Sequence, residues 1–373
     1  MTPRPPTTAG AVLTIDLGAI CDNWRTLCSM LGGAACAAVV KADAYGLGAR
    51  QVAPALCRAG CRHFFVAHLD EAIVLRPALP GDAAIYVLHG AHPGAEADCA
   101  AHGLVPVLNS LPQLAAWQKL GVMQGKALPA ILQVDTGMAR LGLSADELAQ
   151  VAAVPAVLQG IDLQFVMSHL AAAEEQQNPL NRRQLASFHA ALARLPPARA
   201  SLANSSGVFL GSDYHFDLAR PGAALYGVAP VAGQANPMRA AIRLQGKVIQ
   251  TRTIESGTAV GYSHTWTATR RTRIATVAVG YADGYLRSLS NRGHAVCDGI
   301  RLPLVGNVSM DTLTLDATDV PEGRIGEGTL VDLADPLNDV DAIAARAGTI
   351  GYEILTSLGT RYARNYVEPA PMR

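Results

Sequence analysis

The feature that most constrains the fold is an alternation of short apolar runs with amphipathic stretches of helix length. It extends from about residue 11 to residue 227. Between the runs, apolar residues recur every three or four positions, and Ser144 and Asn178 are placed to begin helices. Strands separated by helices indicate parallel βαβ units, and eight units occupy about 250 residues in a (β/α)8 barrel. The apolar runs are residues 36–41, 63–68, 83–89, 103–108, 130–134, 163–169, 199–204 and 223–227.

This order predicts an α/β chain with a (β/α)8 TIM-like barrel. An open, doubly wound sheet stays as the alternative, because strand closure leaves no mark in a sequence. After residue 240 the pattern becomes β-rich and punctuated by Gly and Pro, with one helical stretch at 340–348. We therefore predict a barrel domain over residues 11–240 and a mainly β domain over 241–373. The segment 11–17 precedes the first barrel unit and is a candidate extra strand for the second domain.

Composition excludes several classes of partner. Thirty basic and thirty acidic side chains leave no net charge, and no Lys/Arg run could follow a phosphate backbone or an anionic bilayer, so neither nucleic acid nor membrane is expected. Seven cysteines without a C-x-x-C pair fit neither a disulfide framework nor a zinc site and indicate a reducing compartment. Ten scattered histidines predict no metal site. No apolar run approaches the ~20 residues of a membrane span, so we expect a cytoplasmic protein.

The residues that follow each apolar run are the chemical candidates, because barrel active sites gather at the carboxyl ends of the strands. Lys41 follows the apolar sequence AAVV. A desolvated strand end favours the neutral, nucleophilic amine that a Schiff-base lysine needs. On position alone, a lysine that extends into solvent is an open alternative. The other polar or glycine positions of this layer are Tyr45, Arg140, His169, Asn204, Ser205, Arg220 and Gly222.

Two stretches at the ends of the last predicted strands favour a phosphate group. The sequences NSSG (204–207) and RPGAALYG (220–227) offer hydroxyl groups and glycine backbone amides where barrels commonly bind phosphate. Ordinary turn chemistry is the alternative for each stretch alone. Together with Lys41 they favour pyridoxal 5'-phosphate (PLP), a phosphorylated carbonyl cofactor. Neither a dinucleotide-binding G-x-G-x-x-G motif in a strand-turn-helix context nor a G-x-S-x-G nucleophile motif is present.

The chain resembles the bacterial alanine racemases from about Leu13 to Tyr366. The resemblance is carried by KADAYG (41–46), DTGMARLG (135–142), RPGAALYG (220–227) and VGYSHTW (260–266), which occur in the family's order. It implies a PLP-binding (β/α)8 barrel followed by a C-terminal β domain, and a homodimer with shared active sites. The implied reaction is interconversion of L- and D-alanine by a two-base mechanism, which supplies D-alanine for peptidoglycan or, as the open alternative, recycles it.

Several residue roles follow from the resemblance. It makes Lys41 both the lysine that binds PLP and one catalytic base, and makes Tyr262 of the other subunit the second base. Arg220 matches the residue that faces the pyridine nitrogen, and His169 matches the residue that links Arg220 towards Tyr262. The cofactor-binding set that it implies further includes Tyr45, Arg140, Asn204, Ser205, Gly222, Ala223 and Tyr352, and the substrate-binding set includes Arg140, Met310 and Tyr281.

The sequence departs from the common family pattern in four places. Gln133 stands where a lysine that becomes carbamylated is frequent, and Ser263 stands where glycine is usual. Ser309 replaces a frequent cysteine, and Glu174 replaces an aspartate on the access route. None of the four is one of the two expected bases. The departures bear on substrate breadth and rate more than on the type of reaction.

Three other functions are compatible with parts of this sequence pattern. A serine or broad-specificity racemase on the same scaffold is the nearest, because one hydroxyl group is discriminated only about 10²-fold in an apolar pocket. Barrel-type PLP decarboxylases for basic amino acids resemble this fold but have an acidic residue at the pyridine nitrogen, which Arg220 argues against. A PLP-homeostasis protein would be a lone barrel, and the long β-rich segment after Met238 argues against that.

Overall fold

A computed structural model describes residues 7–368 of the chain. Strands and helices alternate in its first part, and two of the helices begin where the sequence predicts. Ser144 caps one helix by accepting from the Glu147 backbone amide, and Asn178 caps the next by accepting from the Leu180 amide. The elements of this part are β1 (Ala11–Asp16), α1 (Leu17–Met30), β2 (Ala35–Cys36), β3 (Ala38–Val39), α2 (Lys41–Tyr45), α3 (Ala49–Arg58), β4 (His63–Val66), α4 (Leu69–Leu75), β5 (Ala84–Val87), α5 (Glu96–Ala101), β6 (Val105–Leu108), α6 (Leu111–Gln124), β7 (Leu128–Gln133), α7 (Ala145–Ala153), β8 (Ile161–Met167), α8 (Pro179–Leu192), β9 (Arg199–Ser201) and β10 (Leu218–Ala219).

Strands β3 to β9 form a parallel sheet in sequential order, and backbone hydrogen bonds close it into a barrel. The segment that contains β10 fills the gap between β9 and β3. On the β9 side, the Asp217 and Arg220 amides donate to the carbonyls of Ala200 (3.0 Å) and Ala203 (2.8 Å). At the other side, β10 pairs in parallel with β2, which continues into β3 after Ala37. The closed ring confirms the predicted (β/α)8 barrel over the open-sheet alternative.

The predicted eighth strand is wrong in position. Residues 223–227 were expected to be extended, but Ala223–Tyr226 is a 3₁₀ helix, and the strand is the two-residue β10 that precedes it. All four residues of this 3₁₀ helix are buried. A short buried apolar run has no periodicity that would distinguish a strand from a helical turn.

The second part is mainly β, as predicted. Its sheet has the order β16-β15-β18-β11-β1-β19, with β14 also paired to β11 and β17 paired to β14. Residues 369–373, at the end of the predicted second domain, lie outside the described residues. The elements are β11 (Ile242–Ile254), β12 (Ala259–Val260), β13 (Trp266–Thr267), β14 (Thr272–Val277), β15 (His294–Cys297), β16 (Ile300–Pro303), β17 (Leu313–Asp316), β18 (Leu330–Ala334), α9 (Val340–Ala347), α10 (Gly351–Thr356) and β19 (Ala363–Val367).

The first strand of the chain is part of this second sheet. β1 pairs antiparallel with β11, from Ala11 opposite Gly246 to Ile15 opposite Ile242, and parallel with β19 on its other side. From β1 in the β-rich part, the backbone therefore enters the barrel through α1 and returns to the β-rich part at β11.

Side chains of β4, β5 and β8 pack together inside the barrel. Inside, Phe65 stacks on Tyr86 with ring centroids 4.5 Å apart, and Phe165 meets Tyr86 edge-on. This packed interior fixes the strand ends, so the residues that follow them are held at one face. Within residues 7–368, none of the helices is long and apolar enough to span a bilayer.

Candidate active site

A cavity of about 510 Å³ opens at the carboxyl ends of the barrel strands. It collects most of the residues that the sequence singled out, although they are spread over more than 300 positions of the chain. The predicted residues that line it are Lys41, Tyr45, Arg140, His169, Asn204, Ser205, Arg220, Gly222, Ala223 and Tyr352. Five further residues that the sequence did not single out also line the cavity: Val39, Leu88, His89, Leu141 and Met167. Val39 and Met167 are the last residues of their strands, which is a signal that a sequence pattern could have given.

Lys41 lies directly after the short strand β3 and is half-buried against the cavity. Burial is the main cause that lowers its pKa below the ordinary lysine value, and the positive charge of Arg140 acts in the same direction. The Glu71 carboxylate opposes this shift. A lowered pKa leaves more of the amine neutral, which is the form that attacks a carbonyl group.

Arg220 is a buried guanidinium at the floor of the cavity, with 4% of its surface exposed. It donates to the Ser201 hydroxyl and, at 2.6 Å, to the Ser168 carbonyl oxygen. Burial lowers the pKa of Arg220 to about 10, so the side chain is still cationic near neutral pH. These two hydrogen bonds hold a positively charged donor at a defined place in the cavity wall.

His169 is a neutral imidazole near pH 7. Burial, followed by the charges of Arg220, Arg140 and Lys41, lowers the pKa of His169 to about 3. The barrel strand β8 ends just before it, and its carbonyl oxygen is bound at 2.9 Å by the Gln184 side-chain amide. The ring can therefore take part in hydrogen bonds without adding a charge to the cavity.

Hydroxyl groups and backbone amides form one wall of the cavity. Ser205 Oγ accepts from the Gly222 amide at 2.9 Å and from the Ala224 amide at 3.2 Å. A Cβ at Gly222 would lie 2.4 Å from the Tyr45 hydroxyl oxygen, so only glycine fits there. Tyr352 reaches the same wall from α10, with its ring centroid 6.1 Å from that of Tyr45. In this wall Ala223 lines the cavity, while the Ala224 amide is the second donor to Ser205.

The charges around the cavity are of one sign. Lys41, Arg140 and Arg220 line it, and none of the lining residues in the part of the chain that the structure describes is acidic. Asn204 is also in the lining, where its Oδ1 accepts from the Gly207 amide at 2.8 Å. Such a wall of donors beside fixed cations is suited to an anionic group of the size of a phosphate.

Arg140 lies on a loop that a hydrogen bond from Gln133 holds in place. The Gln133 side-chain amide, 7% exposed at the end of β7, donates to the Leu141 carbonyl at 3.1 Å. Asp135 accepts from the amides of Gly137, Met138 and Ala139 within the same loop. Gln133 thus occupies the position of the frequent family lysine and contacts the backbone next to Arg140.

Three predicted site residues do not line the cavity within a single chain. Tyr262, Tyr281 and Met310 are 71%, 43% and 54% exposed. They belong to one surface of the β-rich part, because Tyr281 N donates to Ser309 O and the Asn307 side chain donates to Tyr262 O. Ser263, beside Tyr262, has φ of +59°, which explains why glycine is usual at this position.

The comparisons with known proteins identify the family. The model of the alanine racemase N-terminal domain matches residues 15–230, and the model of the alanine racemase C-terminal domain matches residues 241–366. This chain belongs to the alanine racemase family. The family's enzymes are isomerases, and L/D-alanine interconversion is the activity that this membership supports.

Relatives match over nearly the whole chain. A protein named catabolic alanine racemase, from Agrobacterium fabrum, is 52% identical and covers 97% of this chain and 93% of its own length. The alanine racemase of Brucella abortus is also 52% identical, over 96% of this chain and 94% of its own. Among solved structures, alanine racemase from Bartonella henselae, with covalently bound pyridoxal phosphate, has a TM-score of 0.93 and 44% identity and covers 96% of this chain and 100% of its own. The biosynthetic enzyme of Pseudomonas aeruginosa has a TM-score of 0.89 and 36% identity over the same shares.

Proposed function

We propose that this racemase acts with PLP bound through Lys41 and exchanges the Cα proton of alanine between two bases. The observation that carries the proposal is the half-buried Lys41 amine at the mouth of the barrel, with a lowered pKa, in a cavity without acidic lining residues. When bound, PLP supplies a conjugated system that acidifies the Cα proton of the attached amino acid. The chain's own residues bind the cofactor and the substrate and move the proton.

The donor wall is the proposed cradle for the cofactor phosphate. The Ser205, Tyr45 and Tyr352 hydroxyls present donors beside the Gly222 amide, which is itself bonded to Ser205 Oγ, and the Gly222 backbone has no side chain in the way. A phosphate accepts hydrogen bonds from several donors at once, and the neighbouring cations favour its charge. The chemistry of these residues fits the group that the family and the Bartonella henselae structure imply.

Arg220 is proposed to face the pyridine nitrogen. A guanidinium has donors only, so the nitrogen opposite it must be an unprotonated acceptor. Arg220 has its own position set by Ser201 and Ser168, and remains charged at neutral pH. An unprotonated ring withdraws electrons less strongly, which limits side reactions such as transamination.

Racemisation requires one base on each face of Cα, since a single fixed base returns the proton to the face it left. We assign one face to Lys41 Nζ and the other to the hydroxyl of Tyr262, with Arg140 and the Met310 amide binding the substrate carboxylate and Tyr281 narrowing the access route. Tyrosine ordinarily titrates near ~10, so Tyr262 needs activating neighbours, for which His169 and Arg220 are the candidates.

The exposure of Tyr262 supports a homodimer with shared sites. Tyr262, Tyr281 and Met310 present an apolar surface to solvent in one chain and are absent from its cavity. A second copy that places this surface over the barrel mouth would bury the three side chains and complete the site. The mixed-dimer experiment in the Discussion tests this arrangement.

The biological role that we propose is supply of D-alanine for peptidoglycan in the cytoplasm. All seven cysteines are free, which is typical of a reducing compartment. The test is growth of a strain that lacks its own alanine racemases: expression of this chain should remove its need for D-alanine. A chain that is expressed and folded but does not restore growth would contradict the role.

The reaction itself is tested by a chiral assay of the purified protein. L-alanine and D-alanine should each be converted to a racemic mixture, with L-serine turned over more slowly. Borohydride reduction should fix the pyridoxyl group on the peptide that contains Lys41. Turnover of L-serine alone would favour the serine racemase alternative, and labelling of another lysine would contradict the assignment of Lys41.

A further inference from the structure

The short helical turn α2, which begins at Lys41, has an unusual left-handed backbone. Four consecutive residues, Ala42 to Tyr45, have φ between +52° and +56°. Residues with a Cβ rarely adopt this left-handed region, and runs of them are rarer still. Because the turn begins at Lys41, its conformation determines where the lysine amine stands, and interactions from outside the turn must stabilise it.

Glu71 supplies such an interaction from the neighbouring barrel unit. One oxygen of its carboxylate accepts from the Ala42 amide at 2.6 Å. The other oxygen accepts from the amides of Ala67 and His68, at 2.8 Å and 3.1 Å, just beyond the end of β4. The side chain therefore joins the left-handed turn to the adjacent strand end through three backbone donors.

The chemistry of this joint requires a carboxylate. Both oxygens face N–H donors, so both must be acceptors. A glutamine would turn its NH₂ group towards an N–H on one side and lose that hydrogen bond. An aspartate is one methylene shorter and cannot span the same two strand ends from the same helix position. Hydrogen bonds to a charged acceptor are also the stronger kind.

We propose that Glu71 is a positioning residue for Lys41: it holds the left-handed turn against the neighbouring strand and so fixes the amine at the cavity. The inference rests on the proposed function in taking Lys41 as the lysine that binds PLP. No site role for Glu71 is visible in the sequence, where LDEA (69–72) resembles an ordinary beginning of a helix.

Glu71 also acts on Lys41 through its charge. The charged or titratable groups that influence Lys41 or are influenced by it are Glu71, Arg140, His89 and His169. Of these, Glu71 raises the pKa of Lys41 whereas Arg140 lowers it. Neutralising Glu71 therefore shifts the titration of Lys41 to lower pH, in addition to loosening the turn.

The test compares Glu71→Gln with Asp70→Asn, which removes the same charge from the adjacent, exposed residue of α4. Apoenzyme is mixed with PLP, and the rate of growth of the visible absorption band is recorded against pH. For Glu71→Gln we expect the plateau rate to fall about tenfold or more and the midpoint to move to lower pH. Asp70→Asn should keep the wild-type plateau and midpoint. A merely structural role would not move the midpoint.

Glu71→Asp separates position from charge. It keeps the negative charge but not the reach, so the plateau should fall while the midpoint stays near the wild-type value. The melting temperature of each variant shows whether it folds. If Glu71→Gln does not fold, the comparison is made with Glu71→Asp instead. Plateau rates equal to those of Asp70→Asn in the folded variants would overturn the role of Glu71. Borohydride labelling of a wild-type lysine other than Lys41 would instead overturn the proposed cofactor site.

Discussion

Burial lowers the pKa of both Arg220 and His169 but leaves them in different charge states at the same cavity. Arg220 begins from a pKa so high that burial lowers it only to about 10, so it remains a cation. His169 begins near 6.5 and is lowered to about 3, so it is neutral. The same desolvation therefore leaves one fixed donor of positive charge and one neutral ring that can bind without repelling its neighbours.

The state of His169 predicts how stability depends on pH. The unfolded chain protonates this histidine below about pH 6.5, whereas the native state does not until pH is near 3, so stability falls as pH drops through this window. Between pH 7 and pH 5 the loss in the free energy of unfolding from this residue should be about 2 kcal/mol. Urea unfolding of His169→Gln should show a flatter pH profile than the wild type. The control His102→Gln, at an exposed histidine, should keep the wild-type slope, and equal slopes in all three proteins would contradict the prediction.

At Gly222 one added carbon would enter the proposed phosphate cradle. In Gly222→Ala the new Cβ would meet the Tyr45 hydroxyl oxygen at 2.4 Å and Val39 Cβ at 3.2 Å. We expect a loss of about 1–3 kcal/mol in stability and a weaker affinity for PLP, measured by thermal melting and by fluorescence titration of the apoenzyme. Gly81→Ala, where the added Cβ meets nothing within 4 Å, is the matched control. Unchanged PLP affinity in Gly222→Ala would argue against the cradle.

At the scale of elements, the loop after β7 is held by side chains at both of its ends. Gln133 binds the Leu141 carbonyl, and Asp135 organises the first turn through three backbone amides. The backbone then pairs again at Val134 and Leu143. Arg140 is itself exposed, so its position depends on this loop more than on its own packing.

Gln133→Met should therefore affect substrate binding through Arg140. Methionine has a similar volume but no donor, which leaves the Leu141 carbonyl without this bond. We expect KM for alanine to rise about threefold to tenfold with a smaller change in kcat. Gln118→Met removes an equivalent bond, from Gln118 to the Ala156 carbonyl, on the surface of α6 and should leave both constants unchanged. A fall in kcat alone would count against this role of Gln133.

Gln133 also predicts that the activity of the enzyme does not depend on carbon dioxide. An amide cannot form a carbamate, so wild-type activity should be the same before and after rigorous removal of bicarbonate. Gln133→Lys restores the amine that the family frequently carbamylates and should gain a dependence on bicarbonate. The measurement is the initial rate in degassed buffer with and without added bicarbonate. A marked wild-type loss in degassed buffer would refute the prediction.

For the whole molecule, we propose that residues 11–240 form the barrel domain and residues 241–373 the β domain, with β1 as the exception. β1 lies between β11 and β19, so this strand belongs to the second sheet. Tyr352 of α10 lines the cavity together with Lys41. The two parts are thus connected both through a shared sheet and through the candidate site.

Complementation between two inactive variants tests the shared site. Lys41→Ala and Tyr262→Phe should each be nearly inactive, because each lacks the base for one face. In a mixed dimer with shared sites, one of the two sites combines an intact Lys41 with an intact Tyr262, so up to half of the wild-type activity returns. The variants are co-expressed with different tags, and the doubly tagged species is purified and assayed. No recovery in a folded, PLP-loaded mixed dimer would exclude the shared site.

Local chemistry in the sequence was enough to predict many elements and the layer of candidate residues. The caps Ser144 and Asn178 begin helices because their side chains bond backbone amides only two or three residues away. The long strand β11 is predicted by the apolar pattern of its own residues. Lys41, Arg140 and Arg220 were identifiable because each stands in a specific short motif after a strand or in the following loop.

Other features depend on partners that are distant in the chain, and only the tertiary structure decided them. The eighth strand is two residues long and exists through its pairing with β2, about 180 positions earlier, so no local pattern marks it. The left-handed turn after Lys41 has no glycine at its four residues, and one of its supports, Glu71, comes from another barrel unit. The Glu71 carboxylate can stabilise this strained backbone only after β3 and β4 have paired, because that pairing brings the ends of the two strands together.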